Sequence, residues 1–222
     1  MILAGIDGCK NGWIVAWDCN GITSVEYIQR LPDILERKPE IAIIDIPIGL
    51  LQTGTREADR NARQILKQRS CCVFTAPIRP MLECPSYEQA RECRRRVEGK
   101  GLTKQSWAIL PKIREVDGVI NPELQKIVRE GHPEVSFTFM NGGKPLSSSK
   151  HTYAGQQSRM KLLQSTFPET TLSVEQYRSC RKDVIDSYAL LWTARRIRER
   201  EAVALPASST VDARGLLMQI WA

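Results

Sequence analysis

Ile41-Ala42-Ile43-Ile44-Asp45-Ile46 is an apolar run that does not alternate. A half-exposed strand shows period two, so a short continuous run reads as a strand buried on both faces. Such strands have parallel neighbours in sheets covered by helices. This one feature points to an α/β architecture. The preceding residues supply more of the sheet. Residues 2–6 are apolar and end at Asp7-Gly8, residues 12–18 alternate through Trp13, Val15 and Trp17, and residues 22–28 follow Asn20-Gly21. Asn-Gly suits a two-residue hairpin, where both turn residues take positive φ. Gly8-Cys9-Lys10-Asn11-Gly12 is a second tight reversal. The expected order is three antiparallel strands, a short helix over 31–37 closed by Pro39, and the buried strand.

Beyond Pro47 the pattern becomes helical. Residues 55–68 start at a cap-like Thr55, the stretch 73–82 around Pro77 and Pro80 is irregular, and helices are expected over 86–98, 103–115 and 122–129. Residues 135–139 read as a strand, 141–144 and 147–150 as loops, and 156–167 and 181–201 as helices. The whole reads as a single domain over 1–222 with a helical insertion at about 84–130.

The chain has 222 residues, 42% of them hydrophobic and 26% charged, enough to build a core and unlike a disordered or fibrous chain. Its longest apolar stretch, 41–51, is interrupted by Asp45 and falls far short of the ~20 residues that cross a bilayer. The Met-Ile-Leu-Ala-Gly-Ile-Asp start carries no secretory pattern. Seven cysteines, an odd number without a C-x-x-C pair, suit reduced thiols in a cytoplasmic protein. A formal charge of +7 favours acidic partners such as nucleic acid, although many unrelated proteins share it. No membrane partner is expected, and nothing in the sequence fixes an oligomeric state.

The carboxylates carry the chemistry. Asp7 and Asp45 fall at the carboxyl ends of strands, where α/β sheets bind ligands. Each could instead cap the turn that follows. Asp45, flanked by Ile44, Ile46 and Pro47, needs a cation, a proton or strong donors, because an unpaired buried charge is costly. Asp183 and Asp186 lie at i, i+3 on one helix face. Asp183 also suits the helix dipole, whereas Asp186 is set among apolar neighbours. Glu134, in His132-Pro133-Glu134, stands at or within the start of the 135–139 strand. Converging carboxylates resist joint ionisation unless a hard cation joins them. A pair of Mg²⁺ or Mn²⁺ ions would clamp a phosphodiester during in-line displacement.

Seven motifs in chain order resemble the DUF429 family, described as predicted nucleases of the ribonuclease H-like fold. They are Gly5-Ile6-Asp7-Gly8-Cys9-Lys10-x-Gly12-Trp13; Ile44-Asp45-Ile46-Pro47-Ile48-Gly49-Leu50; Arg56-x-x-Asp59-x-x-x-Arg63; Val73-Phe74-x-x-Pro77-x-Arg79; Gln105-x-Trp107 with Pro111-Lys112-Ile113-x-Glu115-Val116-Asp117; His132-Pro133-Glu134-Val135-Ser136-Phe137; and Asp183-Val184-Ile185-Asp186. The resemblance implies a ribonuclease H-like mixed sheet: three antiparallel strands, then strands parallel to the first, flanked by helices. It implies catalytic acids at Asp7, Asp45 and Asp186 with Asp183, and the last two resemble the Asp-x-x-Asp of RuvC-type resolvases. Glu134 would add a ligand or general base. Cys72, Lys182 and Ser187-Tyr188 depart from the family pattern.

For nucleic acid, Lys10, Arg56, Arg63, Arg69, Arg79, Lys112 and Lys150 would suit a phosphate-lined entrance, with Trp107 stacking a base. Surface ion pairs and a core tryptophan are the other reading of this set. His132 is a candidate proton shuttle or a hydrogen-bonded turn histidine. The expected activity is metal-dependent phosphodiester hydrolysis on DNA or RNA. The alternatives are an actin-like phosphotransferase, for which Asn141-Gly142-Gly143-Lys144 is a poor second phosphate loop, and a non-catalytic nucleic-acid-binding module.

Overall fold

The computed structural model describes residues 1–208 and 210–222. Ile2–Cys9 (β1), Gly12–Cys19 (β2) and Ile22–Ile28 (β3) form an antiparallel meander. Asn20 and Gly21 both take positive φ, 55° and 90°, as the hairpin chemistry requires. Ile41–Ile44 (β4) runs parallel to β1, with Ile43 opposite Gly5 and Ile44 opposite Ile6. Val128–Glu130 (β5) runs parallel to β4, and the spatial order is β3-β2-β1-β4-β5. The result is a mixed α/β fold on a five-stranded sheet.

Leu31–Leu35 (α1) links β3 to β4. Between β4 and β5 come Glu57–Leu66 (α2), Tyr87–Glu98 (α3), Lys104–Ala108 (α4) and Leu110–Val119 (α5). After β5 follow Pro133–Met140 (α6), Tyr153–Gln164 (α7), Thr170–Gln176 (α8) and Arg181–Glu199 (α9). Among the described residues no helix is long and apolar enough to cross a membrane. All seven cysteines are free thiols.

The centre of the sheet is covered on both faces, which explains why β4 does not alternate. Ala42 and Ile44 join Ala4, Ile6, Trp13 and Ile113 in one core cluster. Ile43 joins Leu3, Ile14, Phe137, Leu163 and the apolar side of α9 in another. Each fully buried isoleucine contributes ~1.5–3 kcal/mol, so β4 has no face it can turn to water. α9 lies directly over β1. A Cβ on Gly5 would overlap the Ser187 carbonyl oxygen and the Leu191 nitrogen, so only glycine lets these backbones approach so closely.

Several local expectations are corrected. Residues 135–139 belong to α6 and are not a strand. Pro133 starts that helix, and every residue from 133 to 138 is buried, so no exposed face marks the helical period. Valine, threonine and phenylalanine there imitate strand composition. Residues 122–129 are not a helix: they hold the short turn Leu124–Lys126 and then β5. The expected helix over 103–115 is two, α4 and α5, divided at Ile109 with Pro111 in the first turn of the second. Ala204–Leu205 (β6) and Ile220–Trp221 (β7) form a small antiparallel ribbon that was not anticipated, and a parallel bridge between Gly131 and Trp221 ties it to the end of β5.

Candidate functional site

The parallel pairing of β1 and β4 brings Asp7 and Asp45 to one edge of the sheet. Ile6 and Ile44 are register partners, and the Asp45 nitrogen donates to the Ile6 carbonyl at 3.1 Å, so each aspartate comes one residue beyond the pair. α9 crosses this edge and adds Asp183 and Asp186 from its first turns. A cleft of about 830 Å³ opens here, lined by Asp7, Asp45, Asp183, His132, Glu134 and Lys150 among others.

The electrostatics are unbalanced. Asp7 is 7% exposed, and no hydrogen bond or ion pair reaches its carboxyl among the described residues. Burial holds its pKa well above the usual carboxylate range, and the charges of Asp186 and Asp45 add to this. Asp45 is also raised, chiefly by burial, against the lowering effects of His132 and Lys150. Asp183 is pushed up to about 6 by burial and by Asp186. The Lys150 ammonium bonds Asp186 Oδ2 at 2.5 Å. Its own pKa is raised by Asp186, with further contributions from Asp7 and Asp45. The Lys150 ammonium thus acts on all four acids, and Lys182 adds a lowering effect at Asp183.

Glu134 lines the cleft but is not a free ligand. Arg159 from α7, wholly buried, donates to both of its oxygens at 2.7 Å. Sequence gave no sign of this partner, because Arg159 lies 25 residues away on a helix of ordinary composition. His132 Nε2 lies 3.3 Å from the Cys72 carbonyl oxygen. A carbonyl only accepts, so in this contact Nε2 carries the proton and the neutral ring keeps its lone pair at Nδ1. Nδ1 is buried and has no partner among the described residues.

Of the basic residues expected at an entrance, Lys10, Arg69, Lys112 and Lys150 line the cleft. Arg69 Nε is buried without a partner among the described residues. The Lys112 ammonium lies 3.9 Å from the centre of the Trp13 ring and 3.4 Å from Glu115 Oε2. Arg56, Arg63 and Arg79 are elsewhere and do structural work. Arg56 is buried and bonds Asp59 at 2.5 Å and Glu130 at 2.6 Å. Arg63 donates to the Val73 carbonyl at 3.0 Å and to Thr75 at 2.9 Å. Arg79 bridges Asp117 and Asp212. A buried carboxylate demands a cation, and these arginines supply it. Trp107 does not line the cleft: it meets Tyr87 edge-on at 6.2 Å, with the Arg114 guanidinium 5.7 Å from its ring. Cys71, Cys72, Phe74 and Gln105 line the cleft and were not anticipated as site residues. Residues 141–144, the weak phosphate-loop candidate, form the turn that ends α6 and are not among the lining residues.

The four aspartates offer only oxygen donors, the chemistry a hard divalent cation prefers. Among the described residues, however, no three His, Cys, Asp or Glu side chains form a ready-made chelating group. The fit is one of donor type and charge, and cation binding would require the acids to draw together.

The match to the family described as Protein of unknown function (DUF429) spans residues 5–211, and the chain belongs to that family. No curated protein and no solved structure matches the chain.

Proposed function

We propose that this member of the DUF429 family is a metal-dependent nuclease with a ribonuclease H-like core, hydrolysing phosphodiester bonds of DNA or RNA with Mg²⁺ or Mn²⁺. The observation that carries the reading is the gathering of Asp7, Asp45, Asp183 and Asp186 at one sheet edge, with Lys150–Asp186 as the one ion pair to any of them among the described residues. Asp7, Asp45 and Asp186 would hold the ions, with Asp183 beside them. When bound, a pair of such ions stabilises the attacking and leaving oxygens of an in-line displacement.

The chain's own groups supply the rest. Lys10 at the rim attracts the phosphate backbone and holds it over the acids. Arg69, which lines the cleft, offers its guanidinium to a phosphate oxygen there. His132 Nδ1 is free to accept a proton, and the Cys72 carbonyl holds the ring in the tautomer that leaves it so. Arg159 fixes Glu134 beneath the site and makes it a support for the cleft wall. The test is incubation of the purified protein and Mn²⁺ with labelled single-stranded, duplex, hybrid and branched substrates. Cleavage by the wild type and its loss in Asp7→Asn support the reading. No cleavage, or equal cleavage by Asp7→Asn, contradicts it.

A further inference from the structure

Lys150 behaves unlike Lys10, which makes no ion pair among the described residues. It was expected to bind phosphate, yet its Nζ is turned to Asp186 Oδ2 at 2.5 Å, on a carboxyl whose side chain is 2% exposed. Its charge also acts on Asp7 and Asp45. Among the described residues no other basic side chain forms an ion pair with any of the four aspartates. The backbone around it is anchored locally. The Lys150 carbonyl accepts from Gln156 at 3.2 Å, and the Ser149 carbonyl accepts from Thr152 nitrogen and hydroxyl at 3.0 and 2.9 Å. The start of α7 therefore holds the main chain while the long side chain reaches inward. That side chain is 33% exposed, which gives the ammonium a route back to water.

We propose that Lys150 is a tethered cation that holds the place of a divalent ion among the acids and swings out to solvent when the ion is loaded. The inference rests on the metal-dependent reading given above. Asp186 Oδ2 cannot serve both an ammonium in contact and a divalent ion in contact, since the two cations would repel at close range in a poorly solvated pocket. An ammonium is a compact charge on a flexible stem, suited to leaving without moving the backbone. Its presence gives the neighbouring acids a counter-charge, and among the described residues no three of them stand as a chelating group.

The experiment uses the wild-type protein. An amine-acylating reagent is applied with and without Mn²⁺, at a concentration shown by Mn²⁺ titration to saturate the protein, and modification of Lys150 is followed by mass spectrometry. The exposed Lys100 serves as the internal reference. Without Mn²⁺, Lys150 is acylated more slowly than Lys100. With Mn²⁺, its relative rate rises by about tenfold or more as the freed population grows. An unchanged rate in a Mn²⁺-saturated protein overturns the inference and leaves metal binding standing. Absence of saturable Mn²⁺ binding overturns both.

Discussion

The guanidinium of Arg159 and the carboxylate of Glu134 form a buried two-oxygen pair, with Nη2 2.7 Å from each oxygen. Breaking a buried pair from one side leaves an uncompensated charge, which costs about 3–5 kcal/mol. Arg159→Met should therefore destabilise the protein by about that amount in denaturant unfolding. Glu134→Gln should cost less, about 1–3 kcal/mol, and leave Mn²⁺ affinity unchanged. A large loss of Mn²⁺ affinity in Glu134→Gln would restore Glu134 as a direct ligand.

Arg56 and Lys10 should separate stability from recognition. Arg56 neutralises Asp59 and Glu130 inside the protein, so Arg56→Ala should destabilise it by about 3–5 kcal/mol. Lys10 is exposed at the cleft and makes no ion pair among the described residues. Lys10→Ala should leave the melting temperature nearly unchanged, weaken nucleic-acid binding, and reduce the salt slope of log K by about 1. Equal stability losses in the two variants would contradict this division.

Much of this arrangement was legible before the structure. Strand periodicity gave β1 to β4 in order, and their register forces Asp7 and Asp45 to one edge. The spacing of Asp183 and Asp186 placed both on one face of α9. What escaped was non-local. Nothing in its local sequence marks Glu130 as buried, because its partner Arg56 lies 74 positions earlier. β5 is only three residues long, too short to show a period. α6 is buried nearly all round and so lost its helical stripe. The same limit hid the roles of the arginines, since a guanidinium that binds phosphate and one that satisfies a buried carboxylate look alike in sequence.

Gly5 should be intolerant of any side chain. The Cβ of Gly5→Ala would meet the backbone of α9 at Ser187 and Leu191, which cannot yield as a flexible side chain would. Overpacking of this kind costs about 1–3 kcal/mol or more, and it moves α9, with Asp186, away from Asp7. The expected outcome is a lowered melting temperature together with weakened Mn²⁺ binding. Wild-type stability in Gly5→Ala would mean that the helix has room to shift.

The raised pKa values give the metal-free protein an unusual pH dependence. Asp7, Asp45 and Asp183 hold protons more tightly folded than unfolded, so their contribution to stability falls as pH rises from the ordinary carboxylate range through about 6, where Asp183 titrates. Metal-free protein should accordingly melt higher at about pH 5 than at about pH 7.5, and Asp183→Asn should flatten the difference. Protons and Mn²⁺ compete for the same oxygens, so Mn²⁺ affinity should rise with pH across this window. A melting temperature that climbs steadily with pH, in the same way for wild type and Asp183→Asn, would show that these acids are satisfied without a metal.

The most direct measurement is a Mn²⁺ titration followed by electron paramagnetic resonance for the wild type, Asp7→Asn and Asp45→Asn. The account predicts saturable binding by the wild type and affinity reduced by about a hundredfold or more in each variant. Absence of binding by the wild type, or equal binding by all three proteins, would contradict it.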